Sequence, residues 1–150
     1  MKIKKSTLIG LVGGVILLGF LIYPRFKSED RALAGIPCLI SNRPLVQHIH
    51  PELIIIVDSQ EEIIPKNIGM VGCESVIHTH DDTGEIHIEA QDRREYTLGD
   101  FFRVWGKKID RDGYELKITV DGQPNDNFQN LIFRDNQKII IKYNRLPQDL

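Results

Sequence analysis

From Thr7 to Tyr23 the chain runs for 17 residues without a charge, after Lys2, Lys4 and Lys5 and before Pro24-Arg25. That length sits at the lower limit for a helix crossing a bilayer and exceeds the apolar core of a cleaved secretory signal. The segment therefore predicts an uncleaved N-terminal anchor over residues 1–24. Its lysines stay on the cytoplasmic side and everything after Pro24 is exported. Ala32-Leu33-Ala34 has the small-residue pattern of a cleavage site, but Arg25, Lys27, Glu29, Asp30 and Arg31 crowd the approach to it. Cleavage there is the alternative, and it would give a secreted protein with the same exported part.

Such an anchor leaves room in 150 residues for one domain of ordinary size. A net charge of -2 gives no basic footprint for nucleic acid, which is set aside. Cys38 and Cys73 are the only cysteines. In an oxidising compartment an even pair reads first as a disulfide, and second as a source of one thiolate metal ligand, Cys73.

Residues 25–44 are charged, then rich in Pro, Gly, Ser and Asn, and read as a linker; the domain is expected over 45–150. Val46 to His50 alternates, and Leu53 to Val57 is a continuous β-branched run expected to be a buried strand, with Glu62 to Pro65 as its partner. Ser75 to Ala90 reads as a hairpin around the turn Asp81-Asp82-Thr83-Gly84. Thr97 and Asp100 form a helix-start signature. Leu98, Phe101, Phe102 and Trp105 then share a face, and Gly106 stops the helix, which predicts one short helix over 97–106. Leu116 to Val120 and Lys138 to Tyr143 close the domain as strands. Glu52 to Gln60 echoes Glu115 to Gln123, by duplication or as two similar hairpins. The expected class is α+β, a mainly antiparallel sheet carrying one helix.

The chemistry concentrates in five histidines, His48, His50, His78, His80 and His87, four of them in two His-x-His pairs. On a strand such pairs share a face. With a four-residue loop over Asp81 to Gly84, His78 faces His87 and His80 faces Glu85, while Ile77, Thr79, Ile86 and Ile88 take the core side. A three-residue loop would instead set His87 against Thr79. Clustered imidazoles suit copper or zinc and do not suit calcium or magnesium. Copper is preferred, since Cu(II) tops the divalent affinity order, and zinc is the alternative. Glu85, Asp81 or Asp82 can ligate or orient an imidazole, although Asp81-Asp82 fits turn chemistry first. His48 and His50 complete the same site or build a second.

Gly72, His78-Thr79-His80 and Glu85 are similar to the first metal-binding motif of cupins, which implies a metal-dependent enzyme; no later histidine supplies a second motif. Cys73 and His78, with His48 upstream, resemble the Cys-to-His step of blue copper proteins, without a following methionine. A longer likeness spans Gly35-Ile36-Pro37-Cys38, His48-Ile49-His50, Ile64-Pro65, Ile68-Gly69, His78-Thr79-His80-Asp81, Ile86-His87-Ile88-Glu89 and Tyr96 to Gly106. It resembles a family of small exported or membrane-anchored prokaryotic proteins, and implies export and a domain boundary but no activity. Three functions follow. The first is a membrane-tethered protein that buffers or delivers copper, with a homodimer or a membrane protein as partner. The second is a cupin-like enzyme, for which the sequence shows no nucleophile motif. The third is an interaction module in which the histidines are incidental.

Overall fold

The computed structural model describes residues 35–147. The expected anchor, the cleavage-like site and residues 25–34 of the linker lie outside them. Among the described residues no helix is long and apolar enough to cross a membrane.

The compact unit begins at Ile36. Residues 36–44, read from composition as the end of a linker, carry real contacts. Ile36 is buried in the core, Leu39 N donates to Glu74 O, and Cys38 is bridged to Cys73 with their Cα atoms 6.0 Å apart. That disulfide removes Cys73 from the thiolate ligand set proposed for it.

Two sheets share one hydrophobic core. The larger has strands β2 (Glu52–Val57), β3 (Gln60–Glu62), β6 (Tyr114–Val120), β7 (Gln123–Asn125) and β8 (Lys138–Arg145), in the order β3-β2-β8-β6-β7. Its β2–β8 ladder is parallel; the rest of the strand pairing among the described residues is antiparallel. The α+β expectation therefore holds in outline, with a mixed centre to the sheet. Leu53 pairs with Ile139 and Ile55 with Ile141, all four buried on the inner face. Ile54 and Ile56 point to the other face and are half-buried, so the β-branched run is buried on one side only, not throughout as its composition indicates.

Both segments of the sequence echo form hairpins of the same kind. Val57 pairs with Gln60 across Asp58-Ser59, and Val120 with Gln123 across Asp121-Gly122. All four turn residues have positive φ, between 47° and 81°, the mirror-image turn that matches strand twist. The two hairpins flank β8 on opposite sides.

The smaller sheet has β1 (Gln47–Ile49), β4 (Ile77–His78) and β5 (His87–Ala90), with β5 central. Its inner face contributes Ile77, Ile86, Ile88 and Ala90 to the core. Helix α1 (Leu98–Trp105) buries Leu98, Phe101 and Phe102 against the same core. Thr97 Oγ1 accepts from Asp100 N and Asp100 Oδ2 accepts from Thr97 N, while Gly106 at φ 75° ends the helix in the left-handed conformation. A short 3-10 turn, Phe128–Asn130, packs beside it.

The smaller sheet is fastened to β2 at the loop between β4 and β5. Gly84 O accepts from Leu53 N at 2.9 Å, and Ile86 N donates to Pro51 O at 2.9 Å. Gly84 has φ 88°, and a Cβ there would collide with the Leu53 carbonyl, so glycine alone permits this approach.

Candidate metal centre

The register of the smaller sheet gathers the histidines. His78 pairs with His87, as a four-residue loop requires, and Ile77 pairs with Ile88 on the opposite face. On the other edge of β5, His48 pairs with Glu89 and Ile49 with Ile88. Residues two apart on a strand share a face, so His80 joins His78, His50 joins His48, and Glu85 and Glu89 flank His87. Five imidazoles and two carboxylates therefore occupy one face of three short strands. The reverse face is apolar, which locks the register because a slip of one residue would bury the histidines and expose the isoleucines.

Ring contacts follow from this arrangement. His87 lies at the centre, with ring centroids 4.5 Å from His80, 4.7 Å from His50 and 5.4 Å from His78, against which it stacks. His48 and His50 are 4.6 Å apart, and His78 and His80 4.7 Å.

Individual atoms define which nitrogens are available. His78 is fully buried, and its Nδ1 lies 2.8 Å from the Ser75 carbonyl oxygen, which can only accept. Nδ1 thus carries the ring proton, and the neutral ring presents a lone pair at Nε2. That Nε2 faces His80 Nε2 at 3.1 Å. Two nitrogens bound to one tetrahedral zinc at ordinary distances would be roughly 3.3 Å apart, so the pair already stands near the spacing a shared ion imposes. A side chain donating from its outer nitrogen to a backbone carbonyl is also the usual way a ligating imidazole is aimed.

His87 shows the complementary feature. Glu85 Oε1 lies 3.1 Å from its Nε2, whereas its buried Nδ1 has no hydrogen-bond partner among the described residues. Glu89 Oε1 is 3.9 Å from that Nδ1 and 3.2 Å from His48 Nε2. A buried ring nitrogen without a partner is costly unless something fills its lone pair. Ligand atoms from His78, His80, His87 and Glu89 lie within 4.8 Å of one another, and so do those of His48, His50 and His87.

Burial is the main reason the His78 and His87 imidazoles are held below their ordinary pKa. The neighbouring rings add to it: His80 for His78, and His80, His50 and His78 for His87. Both are neutral at physiological pH, the form that ligates.

All five histidines named from the sequence therefore lie on this face. Glu85 is placed as a carboxylate behind His87. Asp81 is used by its turn, its Oδ1 accepting from Thr83 N and Thr83 Oγ1, and this hydrogen bonding holds its carboxyl below the usual range. Asp82 is exposed. Glu89 is the ligand candidate that sequence reasoning missed, although alternation along β5 from His87 would have found it. Beside the face, His50, Glu52, Asp81, Thr83, Glu85 and Asn136 line an open groove of about 500 Å3. Comparison of the chain with family models, with curated proteins and with solved structures finds no match.

Proposed function

We propose that this protein binds a transition-metal ion, copper before zinc, on the histidine face of its smaller sheet, and buffers or delivers it outside the cytoplasm while tethered by its N-terminal segment. The observation that carries the reading is the unpartnered, buried Nδ1 of His87 beside the oriented Nε2 of His78. An accidental surface cluster has no reason to bury ring nitrogens and leave one unfilled. The surrounding donors, imidazole nitrogen with one carboxylate, match the preferences of Cu(II) and Zn(II), and Cu(II) binds such sets more tightly. The exposed His80 leaves the ion reachable by a partner, as transfer requires.

The open groove next to His50 and Glu85 supports a second reading, in which the ion activates water for a small substrate and Glu85 moves the proton. Turnover distinguishes the two.

Purified full-length chain, carrying no polyhistidine tag, should retain near-stoichiometric metal after copper or zinc challenge and dialysis, with copper displacing zinc. His78→Ala/His80→Ala/His87→Ala should lose the ion that those three imidazoles hold. Absence of tight binding by folded wild-type protein would end the metal reading and leave an interaction module.

A further inference from the structure

The histidine face holds more donors than one ion can use. Nitrogen ligands to a single zinc or copper lie about 2.0–2.1 Å from it, so even opposed ligands are separated by no more than roughly 4.2 Å. The five imidazoles do not form one such group. They fall into two, His78, His80 and His87 with Glu89 on one side, and His48, His50 and His87 on the other. The division has a cause in the sheet. His78 and His80 come from the β4 edge of β5, and His48 and His50 from the β1 edge, on opposite sides of the central strand. Neighbouring strands are about 4.8 Å apart, so the two edge strands stand nearly 10 Å from each other and their histidines converge on different points.

Between them lie the residues of β5 itself. His87 has ring contacts to both sets, and Glu89 Oε1 touches His48 Nε2 at 3.2 Å and approaches His87 Nδ1 at 3.9 Å. A carboxylate has two oxygens with separate lone pairs and can serve two cations at once. As an exposed ion pair alone, His48 with Glu89 would contribute little and would give no reason for His50 to stand 4.6 Å away on the same face.

We propose that this face is a two-ion centre: one ion on His78, His80 and His87, a second on His48 and His50, and Glu89 between them with an oxygen toward each. The proposal rests on the metal-binding reading above and extends it from one ion to an adjacent pair. The second ion has no fully buried ligand, His48 being exposed and His50 half-exposed, whereas the first is anchored on buried His78 beside exposed His80. It is thus the first to exchange with solvent or with a partner.

The test is titration of the untagged full-length chain with copper(II) sulfate, following bound metal and the electron paramagnetic resonance spectrum together. Wild-type protein should saturate at two ions per chain. The spectrum at one equivalent should be that of an isolated Cu(II), and at two equivalents it should broaden and gain a half-field signal from the neighbouring spin. His48→Ala/His50→Ala should saturate at one ion, half the wild-type value, and keep the isolated spectrum throughout. Saturation of wild type at one ion, or a double variant that still takes two, would overturn the two-ion centre while leaving the single-ion reading standing. Uptake of no ion by wild type would bring down both.

Discussion

His78 donates its Nδ1 proton to the backbone carbonyl of Ser75 across 2.8 Å, from a position with no solvent exposure. The bond ties the most deeply placed imidazole to the chain just before β4, so its second nitrogen has one direction in which to point. His80, two residues on, is exposed and has no comparable tether to the backbone among the bonds of the described residues.

The two rings should therefore separate binding from stability. His78→Ala strands the Ser75 carbonyl in the interior and is expected to cost about 1–3 kcal/mol of stability as well as the metal. His80→Ala should weaken metal binding comparably yet leave stability within about 0.5 kcal/mol of wild type. Urea unfolding of the metal-free proteins, beside copper binding isotherms, checks both; equal destabilisation by the two variants would contradict the assignment.

Glu85 sits behind His87 at Nε2, away from the unpartnered Nδ1. A carboxylate in that place orients the ring and strengthens it as a ligand. Glu85→Ala should lower metal affinity by about 10–100-fold without changing the number of ions bound. A lost equivalent of metal would show Glu85 to be a direct ligand instead.

The lowered pKa of His78 and His87 sets a direction with pH. Both folded values lie below the ordinary 6.5, so near and below that value the unfolded chain binds protons that the folded chain does not. Their contribution to stability is complete above about pH 6.5, is lost as pH falls from there through the folded values, and then levels. Denaturant midpoints of the metal-free protein between pH 8 and pH 5 should fall accordingly. Glu62, whose carboxyl is held below 4.5 chiefly by its hydrogen bond to Arg111, adds a separate loss in the acid range, well below the histidine window. A midpoint that stays flat or rises on acidification to pH 5 would contradict the histidine assignment.

The disulfide closes a loop with a sequence separation of 35. Loop-closure entropy for that length corresponds to about 4 kcal/mol, so Cys38→Ser/Cys73→Ser should be markedly less stable. It should nevertheless bind the same amount of metal under conditions where it is folded, because neither sulfur is a ligand. Loss of metal from a folded double variant would reopen the thiolate assignment.

What could be read from the sequence was local. The β4–β5 register followed from the agreement between a turn, Asp81 to Gly84, and the apolar sorting of Ile77, Ile86 and Ile88. Helix α1 followed from the Thr97–Asp100 box and its aromatic stripe. The pairing of His48 with Glu89 spans 41 positions, and no short-range pattern encodes which strand edge a segment will choose. For the same reason the parallel β2–β8 ladder was hidden, and with it the merging of two hairpins into one sheet. Residues 36–44 looked like linker because their hydrogen bonds are made by the backbone and by Gln91, which donates to Ile40 O and Arg43 O and leaves no periodic trace in composition.

The parallel ladder also joins distant parts of the chain. Strand β2 carries the clasp to Gly84 that steadies the metal hairpin, and it obtains its central partner only from Lys138–Arg145, the last strand of the described residues. Its nearer neighbour, β3, is three residues long and cannot by itself cover the inner face of β2. The stability of the histidine face is thus coupled, through the clasp at Gly84, to a distant strand that contributes no ligand.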